Sequence, residues 1–327
     1  MQSTRNKLIE LLSNPHENEA FISGQLLSEK LGISRSAIWK HMNELKKDGY
    51  DIEGVSRKGY RIISFPDKIS ENTLKWGLNT EWLGKHIIHK ESVASTQKIA
   101  HMAALEGAEH GTIIIADEQT AGKGRMNREF HSANQDGIWM SVILRPNILP
   151  YDAPQLTLLT ATVLAQVIDS YNKVNPQIKW PNDILINGKK ISGILTEMQA
   201  EQDQVLYVVI GMGINVNQSA KSFPEDIRNH VTSLAIESGE KWSKVKFVRD
   251  ILETFEEKFN HYLENGFPNV KTTWEKYGFR INEQLEIKTS RETWMGEFLG
   301  ISEDGALLAK RASGETEKIY SAEISWF

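Results

Sequence analysis

The sequence predicts an α+β fold in three parts, and three observations carry that expectation. The first sixty-odd residues show helical periodicity, a glycine turn and a two-strand wing. The middle alternates short β-branched strands with helices, and from about residue 284 short strands recur at turn spacing. The 327 residues, 40% hydrophobic and 25% charged, are ordinary globular composition and suffice for two or three domains. With a formal net charge of -5, any nucleic-acid surface must be local. There is no cysteine, which excludes disulfides, thiolate zinc sites and a cysteine nucleophile, and fits a reducing interior. The N-terminus leads into an amphipathic segment and not a secretory h-region. The longest apolar stretch, 156–168, is broken by Thr157, Thr160, Thr162 and Gln166, so no membrane contact is expected and the cytoplasm is the expected location.

In the first part, Leu8, Ile9, Leu11 and Leu12 mark one helix and Ile22, Leu26, Leu27 and Leu31 a second. Gly32 breaks the chain, and Ser34 can cap a third helix carrying Ile38, Met42 and Leu45 at helical spacing. Helix, glycine turn and helix make the helix-turn-helix plan. Strand patterns at 50–55 and 60–63 then bracket a wing tip with Arg57 and Lys58. The third helix offers Arg35, Ser36, Lys40, His41 and Lys47 to phosphates or base edges, while Trp39 is expected in the core. A small helical domain for protein contacts is the competing reading. Pro66 ends the last strand, which puts a domain boundary near residue 65.

In the middle, Ser95 and Thr96 stand between a strand at 87–89 and a helix, placed to cap it or to bind a small polar ligand. The run Ile113-Ile-Ile-Ala116 reads as a buried strand feeding a loop, 119–130, with Gly122 and Gly124 among Lys123, Arg125 and Arg128. Glycines that admit close approach and fixed cations suit a phosphate or carboxylate, against the alternative of a solvated basic loop. The spacing fits neither a Walker A loop, since Gly124 follows Lys123, nor a dinucleotide fingerprint, since Asn127 stands at the third glycine. A strand at 137–144 and a long buried helix at 154–171 follow. Lys179-Trp-Pro-Asn-Asp183 sets Asn182 and Asp183 beside a lysine, a nucleotide or metal corner. Asn187-Gly188 is a two-residue hairpin signal that brings Lys190 onto a strand beside Gly193. A strand at 205–210 leads to a second glycine pair in Gly211-Met-Gly-Ile-Asn215.

Taken in order, Gln119 with Gly122-Lys-Gly-Arg-Met-Asn-Arg128, Lys179-Trp-Pro-Asn-Asp183, Lys190-Ile-Ser-Gly193 and Gly211-Met-Gly-Ile-Asn215 resemble the biotin-protein ligases. With the helix-turn-helix in front, the chain resembles the bifunctional form that also represses the biotin operon. Lys123, Met126 and Asn127 depart from that family's commoner loop, and Gln97 stands where Asn is usual. The resemblance implies a class II synthetase-like mixed-sheet ligase domain with helices at 66–280, between a winged helix-turn-helix at 1–65 and an SH3-like β-barrel at 281–327. It implies that biotin and ATP form biotinyl-5'-adenylate, which a lysine of a biotin carboxyl carrier protein or carboxylase domain then attacks. Arg125 and Lys190 would neutralise carboxylate and α-phosphate, assisted by Arg128, Lys123 and Gly124, with Mg²⁺ on the phosphate oxygens. Ser95, Thr96, Gln97 and Gln119 would hold the ureido ring, with Gly122 and Gly193 lining the cleft. Lys179, Asn182, Phe130 and Asn215 would meet the nucleotide, and Asp183 would orient the incoming lysine or help with the metal. Loops 119–130 and 217–231 would order over the adenylate and exclude water. As partners the resemblance implies operator DNA and a homodimer in which the adenylate is corepressor.

The last part adds an amphipathic helix at 243–263 and then strands around Leu285, Trp294, Leu307 and Ile319, a small barrel pattern with Trp294 and Phe298 in its core. Two other functions compete with the ligase: a ligand-sensing repressor without catalysis, and a lipoate-type ligase.

Overall fold

In the computed structural model the described residues are 4–13, 21–133, 135–289 and 292–326, and the side chains of Asn6, Asn127 and Glu323 lie outside them. The chain divides into two compact units, Met1–Leu78 and Asn79–Phe327.

The first unit holds α1 (Thr4–Ser13), α2 (Gly24–Leu31), α3 (Arg35–Lys47), β1 (Asp51–Val55), β2 (Gly59–Ser64) and α4 (Glu71–Lys75). Ser23 caps α2 by accepting the Leu26 N–H, and Ser34 caps α3 by accepting that of Ala37. Such caps contribute about 1 kcal/mol each. Between them Gly32 adopts φ 66°, the left-handed conformation that ends α2 and turns the chain. Leu8, Leu27, Ile38, Met42, Leu45 and Ile52 form one buried cluster, so the stripe on α3 is the one its spacing predicts. The wing pairs antiparallel, Val55 opposite Gly59. The unit runs beyond residue 65 because the Phe65 ring stacks on Trp76 at 4.3 Å. Trp39 corrects the sequence expectation: it is 60% exposed. It stands next to Ile38, outside the i, i+4, i+7 stripe that faces the core, so burying it would require turning that stripe outward.

The second unit is organised on a mixed sheet of β3 (Ile87–Val93), β4 (Ile113–Gln119), β5 (Ile138–Leu144), β6 (Gln177–Lys179), β7 (Asp183–Ile186), β8 (Lys189–Glu201) and β9 (Gln204–Ile214), in the order β3-β4-β5-β9-β8-β7-β6. Only the β3–β4 pair is parallel, joined by α5 (Thr96–Leu105); the other described pairs are antiparallel. Val209 packs with Ala100 and Ala104 of α5. Thr196, cross-strand partner of Ile210, bonds Thr157 of α6 (Ala153–Ser170) at 2.8 Å. Consecutive strand residues face opposite sides, so α5 and α6 cover opposite faces of the sheet. The β7–β8 hairpin turns at Asn187 (φ 50°) and Gly188 (φ 75°), the left-handed pair that a two-residue turn requires.

Beyond α7 (Leu234–Ser238), α8 (Lys244–Asn265) packs its apolar side on α6 and leads to α9 (Pro268–Tyr277). The chain ends in a small antiparallel sheet of β10 (Gln284–Lys288), β11 (Thr293–Ile301), β12 (Leu307–Lys310), β13 (Thr316–Ile319) and β14 (Glu323–Ser325), ordered β13-β12-β11-β10-β14. Phe298 is fully buried in it, as expected. Trp294 is half-buried, with the Arg311 guanidinium 4.1 Å from its ring centre. No described helix is long and apolar enough to cross a membrane.

Candidate active site

The sheet gathers the four sequence motifs around one cavity of about 870 Å³. β4 delivers Gln119 and the basic loop, the N-terminus of α5 delivers Ser95, Thr96 and Gln97, and the end of β6, the β6–β7 turn and the start of β7 deliver Lys179, Asn182 and Asp183. β8 delivers Lys190 and Gly193, and β9 delivers Gly211 and Gly213. Gly211 and Gly213 lie inside β9 instead of at its end, because the strand continues to Ile214. A Cβ on Gly213 would meet the Phe130 ring at 2.5 Å, so the bare backbone there is what lets the ring lie over the sheet.

One wall is a connected polar network. Gln119 Oε1 accepts from the Thr96 backbone N–H at 2.8 Å and lies 3.1 Å from its hydroxyl, while Gln119 Nε2 donates to Ser132 at 3.2 Å. Thr96 and Ser141 hydroxyls lie 2.9 Å apart, Ser141 donates to Gln97 Oε1 at 3.1 Å, and Gln97 Nε2 donates to the Val209 carbonyl at 3.1 Å. All these side chains are buried. A buried network with its bonds made holds its members in fixed orientations, so this wall is preorganised for a small polar ligand. Ser95 starts α5 but makes no capping hydrogen bond, which leaves it a wall residue of the cavity.

Another part of the lining is charged. The Lys190 ammonium lies 2.7 Å from Asp183 Oδ1 as an ion pair outside hydrogen-bond geometry, and Lys179 lies 3.5 Å from Oδ2. Lys190 also stands 5.5 Å from the centre of the Phe130 ring, which meets Trp139 edge-on at 6.0 Å. Arg125 reaches Asn182 Oδ1 at 3.5 Å, and Asn182 is anchored by donating to the Ile194 carbonyl at 2.9 Å. Burial pushes the Arg125 guanidinium below its ordinary pKa, Asp183 opposes the shift, and Arg128 adds to it. A guanidinium stays charged through such a shift, so the cavity holds a desolvated cation that an anion would neutralise. The lining cations Lys123, Arg125, Arg128, Lys179, Lys190 and Lys288 outnumber the carboxylates Glu129, Asp183 and Glu286. The field in the cavity therefore favours anionic ligands.

The basic loop is a small hairpin: Phe130 N–H bonds the Gly122 carbonyl at 3.0 Å and Gly124 N–H the Arg128 carbonyl at 2.8 Å, around a turn with Met126 at φ 55°. Gly122 serves the loop itself. It is not among the lining residues, and a Cβ there would strike Ser132 Oγ and the Phe130 carbonyl. Asn215 does not line the cavity either. It is one residue past β9, where its side chain accepts a hydrogen bond from Gln218 at 3.2 Å. Asp183 fits poorly as a metal ligand, since both oxygens face ammonium groups, and among the described residues no three His, Asp or Glu side chains form a metal cluster. Sequence reasoning missed Ser132 and Ser141, lone serines in loop and strand with no motif around them, and Glu286, Lys288 and Ser325, which the last sheet brings to the cavity rim.

In the first unit, α3 and the wing enclose a concavity of about 760 Å³ lined by Arg35, Ser36, Arg57 and Lys58 among the expected residues. Lys40 and Lys47 are exposed outside it. His41, half-buried, turns to Glu44 at 3.4 Å.

Residues 90–215 match the biotin/lipoate A/B protein ligase family, 4–61 a helix-turn-helix domain and 281–326 the biotin protein ligase C-terminal domain. A bifunctional ligase/repressor BirA of Bacillus spizizenii is 49% identical over 325 residues, covering 99% of both chains. The Escherichia coli protein of that name is 28% identical over 93% of this chain and 92% of its own. The biotin protein ligase of Aquifex aeolicus, solved in complex with biotin and ATP, superposes with a TM-score of 0.64 at 28% identity, over 74% of this chain and 98% of that one.

Proposed function

Since the chain belongs to the biotin protein ligase family, in its bifunctional ligase/repressor branch, we propose that it activates biotin with ATP and transfers it to a carrier lysine, and that it represses transcription. The observation that carries the reading is one cavity lined both by a buried polar network and by an excess of cations. Biotin is a neutral ureido bicycle on a chain ending in a carboxylate, and that is the combination such a cavity accommodates.

In the first half-reaction a carboxylate oxygen attacks the α-phosphorus of ATP, the bond to the bridging oxygen breaks and pyrophosphate leaves. Two anions must meet, so the ligand-facing cations decide the barrier. Lys190 and Arg125 flank the meeting point, Lys190 held by Asp183 and Arg125 by Asn182. Arg128, Lys123, Lys179 and the Gly124 backbone extend the positive field along the phosphates. Thr96, Gln97, Gln119 and Ser95 hold the ureido group, and Phe130, on the Trp139 edge, walls the reacting end beside Gly193. Asn215 keeps the end of β9 in place for the adenine side. Both Asp183 oxygens face ammonium groups, so a magnesium ion would have to come with the nucleotide as part of the substrate, where it would offset phosphate charge.

In the second half-reaction the amine of a carrier lysine attacks the acyl carbon, AMP departs with the C–O electron pair, and the amine loses a proton. Asp183 is a carboxylate of the cavity lining, and it orients the incoming neutral amine by accepting its N–H and receives the proton released. The hairpin at 119–130 and the loop at 217–231 close over the adenylate and keep water out. On the other unit, α3 and the wing meet operator DNA. The adenylate favours a dimer whose two recognition helices match a two-fold operator. The functional division is a winged helix-turn-helix at 1–65, a ligase domain at 66–280 and a C-terminal domain at 281–327, with 66–78 belonging to the same compact unit as the first of them, and the protein works in the cytoplasm, where ATP is made available to it.

Biotin-dependent exchange of radiolabel between pyrophosphate and ATP tests the enzyme reading, and competition with lipoate separates it from the lipoate alternative. Exchange that ignores biotin would remove it.

A further inference from the structure

We propose that Trp39 reads the operator, by apolar contact of its indole with a thymine methyl group in the major groove. The inference rests on the DNA-binding half of the function above, and it starts from the exposure that sequence reasoning did not foresee. An indole 60% exposed on a helix whose neighbours Ile38 and Met42 are buried has no packing task in its own domain. It lies instead in the concavity between α3 and the wing, with Arg35, Ser36, Asn43 and Lys46 on its own helix. Arg35, Trp39, Asn43 and Lys46 follow at steps of four, four and three, which sets them along one helical face.

The surroundings identify the occupant. Arg35, Lys46, Arg57 and Lys58 line the concavity, and no Asp or Glu is among its described lining residues. In a chain of net charge -5 that is a local cationic surface, complementary to a polyanion. A helix with this face fits the major groove, where guanidinium, amide and hydroxyl groups read hydrogen-bonding edges. An indole offers one N–H donor and a broad apolar surface. The apolar mark that the major groove displays is the thymine C5 methyl, so the indole is matched to thymine and the polar residues beside it to the other positions.

The test uses the full chain with biotin and ATP present. Duplexes selected from a random-sequence pool by the unsubstituted protein are expected to carry thymine at a fixed half-site position. Replacing that thymine by uracil removes only the methyl group, and should weaken binding about fourfold. The Trp39→Ala protein should bind the selected duplex more weakly, show no penalty for uracil, and keep the same dependence on salt, because no phosphate contact is lost. Trp39→Leu should keep part of the uracil penalty, and unchanged thermal transitions would show both variants folded. A Trp39→Ala protein that selects the same sequences and retains the uracil penalty overturns the proposal, whereas the DNA reading stands if Arg57→Ala and Lys58→Ala still flatten the salt dependence. An unsubstituted protein with no salt-dependent duplex binding overturns both.

Discussion

Replacing Lys190 by glutamine removes the cation that stands beside Asp183 and the Phe130 ring, and leaves a neutral polar side chain one atom shorter. Its ammonium is 2.7 Å from Asp183, with the two side chains 30% and 13% exposed. Two effects follow, and they differ in size. Loss of one preorganised charge at a developing phosphoryl transition state costs about 10² to 10³ in rate. Breaking a buried ion pair costs roughly 3–5 kcal/mol, but Lys179 remains 3.5 Å from the same carboxylate, so roughly 1–2 kcal/mol of stability is expected to go. In a unit of this size that lowers the melting temperature by about 2–8 °C. Thermal unfolding and biotin-dependent pyrophosphate exchange, measured on the same preparation, separate the two. The double variant Asp183→Asn/Lys190→Gln should recover much of the lost stability and none of the lost exchange. Exchange within threefold of the parent in Lys190→Gln would refute the reasoning, because the cation would then have no part in adenylate formation.

Arg125→Gly should release the adenylate: rapid gel filtration after a single turnover should find it free in solution, and dissociation at the parent rate would remove Arg125 from the site. Gly213→Ala forces a Cβ toward the Phe130 ring, a wall of the cavity, and displaces it from the sheet. The KM for biotin should rise at least about tenfold with a stability change below about 1 kcal/mol, whereas unchanged KM would show that the ring moves elsewhere. Cutting the chain before Asn79 should abolish duplex binding and leave pyrophosphate exchange, as read by gel shift and exchange assay; specific binding by the truncated protein would contradict the assignment of DNA contact to the first unit. His110 accepts the Arg145 backbone N–H at 2.9 Å, and burial first, then Arg145, holds its pKa below the ordinary 6.5. The unfolded chain therefore binds this proton more readily, so the contribution of neutral His110 is complete above about pH 6.5 and declines as pH falls toward the lower folded value. Melting curves from pH 8 to 5 should show that decline, and His110→Asn should flatten it; an identical pH profile in the variant would exclude the residue.

The parts most legible in the sequence were those where backbone chemistry is local. Asn187-Gly188 announced its hairpin because a two-residue turn needs left-handed residues, and Ser34 and Gly32 marked helix ends for the same kind of reason. The motif residues converged because each stands at or near a strand end or a helix start, where a sheet collects side chains. Ser132 and Ser141 were invisible, since a lone serine has no sequence context and its role is conferred by partners 13 and 44 residues away. Trp39 was misread because hydrophobicity was given more weight than phase: the stripe of Ile38, Met42 and Leu45 already filled the buried side. Gly122 was assigned to a ligand, although the groups that exclude a side chain there belong to its own loop.

In the proposed reaction one cavity joins biotin to ATP. Incubating the full chain with ATP, labelled pyrophosphate and either biotin or lipoate tests it most directly. Label is expected in ATP with biotin, none without it, and little with lipoate. Label that appears equally with or without biotin, or no label at all from a folded protein, would contradict it.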